Sequence, residues 1–252
     1  MWTGEFRDGP SVSGTAVIVP AAGRGERLGP GLPKALRPIN GVPMLVHAVR
    51  ALSSASSVSV VVIAAPPDGV DVVQQVLAEH GLLDDLVGRA SLLVVAGGDT
   101  RQDSVARALQ ALPDEIDVVL VHDAARPLVA SALVDAVSAA VRSGADAVVP
   151  GIRVVDTVKS VDAAGRVTGT PDRSELRAIQ TPQGFRREVL AAAHAAADPT
   201  APATDDAGLV EALGGTVLVI AGDEEAFKVT RPLDLVLAEA VLARRRASGV
   251  LS

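Results

Sequence analysis

Short β-branched runs alternate with amphipathic helical stretches along nearly the whole chain, and that rhythm admits few folds. Runs near Thr15–Val19, Val58–Ala64, Leu92–Ala96, Val118–His122, Ala147–Pro150 and Thr216–Ile220 read as strands. Helices are expected between them, near Pro43–Ser53, Val70–Glu79, Gln102–Leu112, Ala132–Ser143, Arg187–Ala197 and Asp205–Leu213. Thr204 reads as an N-cap with Asp205 and Asp206 in the first turn, and Pro232 opens a last helix through Arg244–Arg246. The pattern is that of a parallel sheet covered by helices. One segment breaks it. Val154–Val161 and Arg166–Thr170 read as strands joined by Asp162-Ala163-Ala164-Gly165, a hairpin with glycine in its turn. A hairpin has little use inside a doubly wound sheet, so it is read as a projecting arm that contributes to dimerisation and to the site. An ordinary excursion on a single chain is the other reading.

Ligands of open α/β sheets bind beyond the C-terminal ends of the strands, which directs attention to the first loop. The strand Ala16–Val19 runs into Pro20-Ala21-Ala22-Gly23-Arg24-Gly25-Glu26-Arg27-Leu28-Gly29, and Lys34 follows just after Pro33. Glycines let backbone N–H groups turn towards an anion, and Arg27 and Lys34 add cations at fixed distances. The combination suits a polyphosphate and charge that develops on it during reaction. It is not a Walker A loop, because no lysine with a following hydroxyl closes it. Nor is it the dinucleotide fingerprint, whose third glycine should fall one position earlier than Gly29.

Further polar clusters follow later strands. Gly97-Gly98-Asp99-Thr100-Arg101-Gln102-Asp103-Ser104 offers close backbone approach and, in Ser104, a hydroxyl to cap a helix or meet a ligand. In Val121-His122-Asp123-Ala124-Ala125-Arg126-Pro127, Asp123 is the metal candidate, since Mg²⁺ takes oxygen donors from carboxylates and phosphates. Arg126 is either a phosphate ligand or the partner of Asp123. Val155-Asp156-Thr157-Val158-Lys159 and Arg173 belong to the arm, Gln180-Thr181-Pro182-Gln183 follows it, and Lys228 lies in Phe227-Lys228-Val229-Thr230-Arg231-Pro232.

Composition removes several classes of function. The 252 residues suffice for one sizeable α/β domain, with a core that Val, Leu, Ile and Ala must fill because aromatics are only 2%. Scarce aromatics and a net charge of −7 argue against nucleic acid as the main partner. The absence of cysteine excludes disulfides, thiolate metal sites and a thiol nucleophile, and His47, His80, His122 and His194 show no metal-type pairing. No leader-like apolar region opens the chain and no apolar run approaches a membrane span, so a soluble cytoplasmic enzyme is expected.

Taken together, the motifs resemble those of the 2-C-methyl-D-erythritol 4-phosphate cytidylyltransferases of the non-mevalonate isoprenoid pathway. The likeness runs in order over about residues 15–240: the glycine loop with Arg27 and Lys34, Gly-Gly-Asp-x-Arg-x-Asp-Ser, His-Asp-Ala-Ala-Arg-Pro, Asp-Thr-Val-Lys, Thr-Pro-Gln, Thr-Asp-Asp and Lys-Val-Thr-Arg-Pro. The resemblance implies a Rossmann-like nucleotidyltransferase fold: a mostly parallel twisted sheet, helices on both faces, and a protruding β-hairpin arm that locks a homodimer. It places one domain over 15–248, with the arm at about 152–176, and leaves 1–14 as a poorly ordered extension. It implies CTP as nucleotide and Mg²⁺ as cofactor. By position, Ala21, Ala22, Gly23, Gly25, Arg27, Lys34, Gly98, Asp99, Ser104, Asp123 and Ala124 would surround the nucleotide. Asp123, Arg126, Thr157, Arg173, Thr181, Thr204 and Lys228 would face the methylerythritol phosphate, with Thr157 and Arg173 reaching the partner subunit's substrate. Arg27, Lys34, Arg173 and Lys228 would carry catalysis.

The implied reaction fits the residue inventory. A phosphate monoester has its second pKa near about 6, so a substrate phosphate is mostly dianionic at neutral pH and needs no general base. The difficulty is bringing two anions together, which is work for cations and a metal. A cytidylyltransferase for ribitol 5-phosphate shares most of these motifs, and sugar-1-phosphate nucleotidyltransferases share the first loop. A non-catalytic nucleotide-binding protein is expected to lack Arg27, Lys34 or Lys228, and this chain has all three.

Overall fold

The computed structural model describes residues 14–23, 32–83, 90–198 and 203–249. Its central sheet runs β5 (Ser91–Ala96), β4 (Val58–Ala65), β1 (Gly14–Pro20), β6 (Ile116–Val121), β11 (Gln183–Arg186) and β7 (Ala147–Arg153). Beyond β7 the sheet divides. β10 (Arg177–Ile179) continues the line of β11 along one edge of β7, and β12 (Val217–Ala221) pairs in parallel along the other. The pairs β1–β4, β1–β6 and β4–β5 are parallel, whereas β11 is antiparallel to both β6 and β7. The mostly parallel α/β sheet read from the sequence is therefore present, with an antiparallel line that the sequence reading left out.

Alternation along the strands explains why helices cover both faces. Val17, Val19, Val61, Ile63, Val118 and Leu120 point to one side, where α1 (Met44–Ser53), α2 (Val70–Glu79) and α4 (Ser131–Arg142) supply Leu45, Val49, Leu77, Leu133 and Val137. Ala16, Ile18, Val60, Val62, Val119 and Val121 point to the other. There α3 (Arg101–Gln110), α5 (Arg187–Ala196) and α6 (Asp206–Ala212) supply Val105, Leu109, Leu190, Leu209 and Val210. Each such buried Val, Leu or Ile side chain contributes about 1.5–3 kcal/mol of apolar transfer. A smaller third cluster joins Ile39 of β2 (Pro38–Ile39) and Met44 to Leu128, Val229 and α7 (Pro232–Ala247), on Ala238, Val241 and Leu242. A short antiparallel β3 (Val42–Pro43) pairs β2.

Boundaries differ from the sequence reading where local chemistry decides them. The cap of α6 is Asp205 rather than Thr204, because the Asp205 carboxylate accepts the Gly208 N–H. β7 extends to Arg153, since β10 pairs with it that far and β12 as far as Gly151. The hairpin keeps its turn: the Gly165 N–H donates to Asp162 O at 3.0 Å with Gly165 at φ +78°. Its strands shrink to β8 (Ser160–Val161) and β9 (Val167–Gly169), because residues 155–159 lie exposed with no strand alongside among the described residues.

The connection between α1 and β4 rests on one carboxylate. Asp135 of α4 accepts the N–H and hydroxyl of Ser57 at 2.8 and 2.7 Å and those of Ser56 at 3.1 and 3.0 Å. Burial raises its pKa, and the serine donors more than reverse this, holding it below the ordinary carboxylate value. The unfolded chain then binds the proton first as pH falls, so this contribution is complete above pH ~4 and is lost below it as pH falls through the depressed pKa. Asp135→Ala is expected to destabilise the chain by about 1–3 kcal/mol at neutral pH and by less near pH 3. Urea unfolding at both pH values checks it, and equal losses at the two would refute the linkage.

Candidate active site

The C-terminal ends of β1, β5 and β6 open on one cavity of about 270 Å³, at the point where the chain leaves β1 for β4 on one side and β6 lies on the other. Ladder hydrogen bonds persist just past the strand ends and fix where each loop begins. Ala21 N–H donates to Ala64 O at 2.8 Å, Gly97 N–H to Ala65 O at 2.7 Å and His122 N–H to Ile18 O at 2.8 Å. The lining combines Ala21, Ala22, Gly23, Lys34, Gly98, Asp99, Ser104, Asp123, Ala124 and Lys228, residues that the sequence scatters across more than 200 positions. Lys34 enters from a single 3-10 turn, Lys34–Leu36, that follows Pro33. Gly25 and Arg27 lie outside the described residues.

The β5–α3 loop is held from below. Thr100 caps α3, its hydroxyl accepting the Asp103 N–H at 3.0 Å and donating to Asp103 Oδ2 at 2.7 Å. Ser104, buried at 1% exposure, accepts the Gly98 N–H at 3.1 Å and donates to Thr100 O at 2.9 Å. Its hydroxyl thus shapes the loop whether or not it also meets a ligand. A Cβ at Gly97 would stand 2.8 Å from Ser104 Oγ and 3.0 Å from the Ala65 carbonyl. Gly97→Ala is therefore expected to shift this loop and to weaken binding of the nucleotide that the sequence leads one to expect there by roughly ten-fold, while leaving the fold intact. Calorimetric titration alongside thermal unfolding checks it; unchanged affinity would show that the loop does not shape the pocket.

Asp123 sits at the end of β6 with 12% of its side chain exposed. Lys228 Nζ approaches its Oδ2 at 2.7 Å, and Arg101 Nε its Oδ1 at 3.4 Å. Burial alone would raise its pKa, but these two cations hold it well below the ordinary carboxylate range, so it is ionised at any working pH. The backbone N–H of Asp123 donates to Thr181 Oγ1 at 3.0 Å. That hydroxyl in turn donates to His122 Nδ1 at 3.1 Å, which leaves Nε2–H to donate to Arg126 O at 3.1 Å. Burial lowers the His122 pKa to about 4, so the imidazole stays neutral and acts as a brace.

Arg126 forms no ion pair with Asp123 and is held by backbone carbonyls instead. Its guanidinium donates to Ala226 O at 2.8 Å and Ile179 O at 3.1 Å, and the residue is 9% exposed. Val229 N–H adds a bond to Ala125 O at 2.8 Å, and the Gln180 side chain both donates to Asp223 O and accepts its N–H. These bonds fix the approach to α7 and so present Lys228 to Asp123. Thr157 and Arg173 stay on the exposed hairpin, where Arg173 Nη1 donates to Val155 O at 2.6 Å, and neither lines the cavity. Thr204 is exposed just before the Asp205 cap.

Arg101 is the residue that sequence reasoning passed over. It lines the cavity and bridges Asp123 to Asp206, whose Oδ2 it meets at 2.7 Å. Burial opposes its charge, but the two carboxylates outweigh burial and raise its pKa. Its place in the Gly-Gly-Asp-x-Arg run after β5 was a signal; its pairing with a carboxylate 105 residues away was not. Among the described residues no group of three or more His, Cys, Asp or Glu side chains converges to cage a metal. Asp123 is left as the one ionised carboxylate pinned by Lys228 in the cavity, which suits a cation that shares its coordination with phosphates.

The likeness to known proteins points the same way. The sequence profile described as IspD, 2-C-methyl-D-erythritol 4-phosphate cytidylyltransferase, matches residues 15–244. A protein of that name from Streptomyces avermitilis is 57% identical over 248 residues, covering 96% of this chain and 97% of its own length. One from Frankia casuarinae is 59% identical over 229 residues, covering 91% of this chain and 81% of its own. Among solved structures, 4-diphosphocytidyl-2C-methyl-D-erythritol synthase from Anaerococcus prevotii superposes with a TM-score of 0.77 at 26% identity, over 92% of this chain and 99% of that one. The Thermus thermophilus cytidylyltransferase gives 0.70 at 36% identity, over 90% and 98%. Fold, cavity and sequence agree that this chain belongs to the 2-C-methyl-D-erythritol 4-phosphate cytidylyltransferase family of nucleotidyltransferases.

Proposed function

We propose that this enzyme transfers CMP from CTP to 2-C-methyl-D-erythritol 4-phosphate, giving 4-diphosphocytidyl-2-C-methyl-D-erythritol and pyrophosphate. The observation that carries the reading is the one cavity in which the glycine-rich edges at Gly23 and Gly98 face Lys34, Asp123 and Lys228. A phosphate oxygen of the acceptor attacks the α-phosphorus of CTP in line. The new P–O bond forms as the bond from the α-phosphorus to the bridging oxygen breaks, and the electron pair leaves with pyrophosphate. No side chain need remove a proton, because the attacking monoester is already dianionic.

Lys34, with Arg27, neutralises the triphosphate and the crowded α-phosphorus. Ala21, Ala22, Gly23, Gly25, Gly98, Asp99, Ser104 and Ala124 shape the nucleotide pocket. Lys228 holds the incoming phosphate while Asp123 opposes it, and Thr181 steadies Asp123 through its backbone. Asp123 would hold Mg²⁺, whose chemistry there is charge neutralisation on the phosphates. Arg126 supports this side from behind the site.

Residues 15–248 act as one catalytic unit, and Thr157 and Arg173 reach the acceptor from the hairpin of a second copy, with Thr204 facing it from the turn before α6. What supports a homodimer is the hairpin itself, whose Val155, Val161 and Val167 are 78%, 58% and 60% exposed. Sedimentation of the purified chain tests this, and a monomer at micromolar concentration would oppose it. No helix among the described residues is long and apolar enough to cross a membrane.

The reaction is tested by pyrophosphate release from CTP and Mg²⁺ with methylerythritol 4-phosphate in one assay and ribitol 5-phosphate in another. Turnover confined to the first supports the proposal. Turnover with ribitol phosphate alone replaces the acceptor and keeps the mechanism; silence in both points to a nucleotide-binding protein.

A further inference from the structure

The ion pairs at Asp123 continue behind the cavity wall. Arg101 spans from Asp123 Oδ1 at 3.4 Å to Asp206 Oδ2 at 2.7 Å. Asp206 is 1% exposed, and its other oxygen accepts from His194 Nε2 at 2.9 Å. His194 stands on α5, its side chain 4% exposed and its Nδ1 without a hydrogen-bond partner. Buried pairs of this kind contribute little to stability compared with apolar side chains of similar volume, and an unmatched buried nitrogen adds a cost. Direction is what such a chain does supply. The guanidinium donors form a rigid planar fork, so fixing Nη1 on Asp206 also aims Nε at Asp123. Asp206 opens α6 two residues after Thr204, and thus the same guanidinium ties the end of β6 to the turn that carries Thr204.

We propose that Arg101 is a positioning residue: it sets the Asp123 carboxylate and the Thr204–Asp206 turn in one register for the acceptor phosphate, and Asp206 and His194 hold it there. This rests on the reaction proposed above. Arg101 is assigned no contact with either substrate; it acts through the two carboxylates.

The test compares Arg101→Gln, Arg101→Lys and His194→Phe in the full chain, by steady-state kinetics and thermal unfolding. Arg101→Gln is expected to raise the acceptor KM roughly 10- to 100-fold, the worth of a charge-assisted hydrogen bond, with the CTP KM little changed. Arg101→Lys keeps the charge but reaches only one carboxylate, so it should restore thermal stability without restoring that KM. His194→Phe, outside the cavity, should move the same KM by less, and the double variant should fall short of the product of the two effects. A rise in the CTP KM instead, full rescue by lysine, or a His194→Phe variant altered only in stability would overturn the proposal. Should Arg101→Gln fail to fold, the lysine and phenylalanine variants carry the same comparison. A wild-type chain inactive with either polyol phosphate would sink the proposed reaction. The inference is then read from inorganic phosphate titrated calorimetrically onto the CTP-loaded chain: weaker binding in Arg101→Lys supports it, and equal binding overturns it.

Discussion

Asp123→Asn is expected to lower kcat by on the order of 10²–10³, the largest loss from any single substitution that keeps the side chain's size. The change leaves volume almost untouched, removes one negative charge and turns one acceptor oxygen into a donor. Lys228 at 2.7 Å and Arg101 at 3.4 Å then face a neutral amide, and the site loses its ionised oxygen donor for a divalent cation. Both cations keep partial access to water, at 40% and 33% side-chain exposure, so they rehydrate and the stability loss should be much smaller than the catalytic one. Pyrophosphate release across a Mg²⁺ series, together with thermal unfolding, separates the two. Retention of kcat within a few-fold at saturating Mg²⁺ would remove Asp123 from the mechanism.

Lys228→Met should follow closely, with a loss of similar order that falls on the acceptor side. Methionine retains most of the aliphatic stem and discards the ammonium, so the bonds that brace this segment, Val229 to Ala125 and Gln180 to Asp223, survive. Fast quench at saturating CTP is expected to show a raised acceptor KM and a slowed chemical step, with CTP affinity little changed. Should CTP affinity fall instead, Lys228 belongs to the nucleotide, and the assignment of the two phosphates to the two lysines must be reversed.

The alternating rhythm was legible because it is local. β1, β4 and β6 each carry enough apolar residues to announce a buried strand, and the helices between them show their periodicity unaided. β11 was not legible. It has four residues, Gln183–Arg186, and one large apolar side chain, Phe185. It earns its place through neighbours far away in sequence: a Cβ on Gly184 would come within 2.9 Å of Leu120 Cδ2. The site divides in the same way. Glycines and lysines at strand ends advertise a phosphate pocket by type and position, and of these Gly23, Gly98, Lys34 and Lys228 line one cavity. Arg126 and Arg101 show the limit. A guanidinium that satisfies two backbone carbonyls and one that bridges two carboxylates look identical as letters, and only the fold decides between them.

The hairpin has a consequence for how such a chain can change. It leaves the sheet after Arg153 and returns at Arg177, and these two residues pair with each other across β7 and β10. Departure and arrival therefore coincide, and the intervening segment is a detachable cassette: exchanging or excising it asks nothing of the strands that hold the nucleotide pocket. Relatives can diverge in what the cassette presents at no cost to the scaffold beneath it, and a short turn joining Arg153 to Arg177 would leave a chain that folds and still takes up the nucleotide.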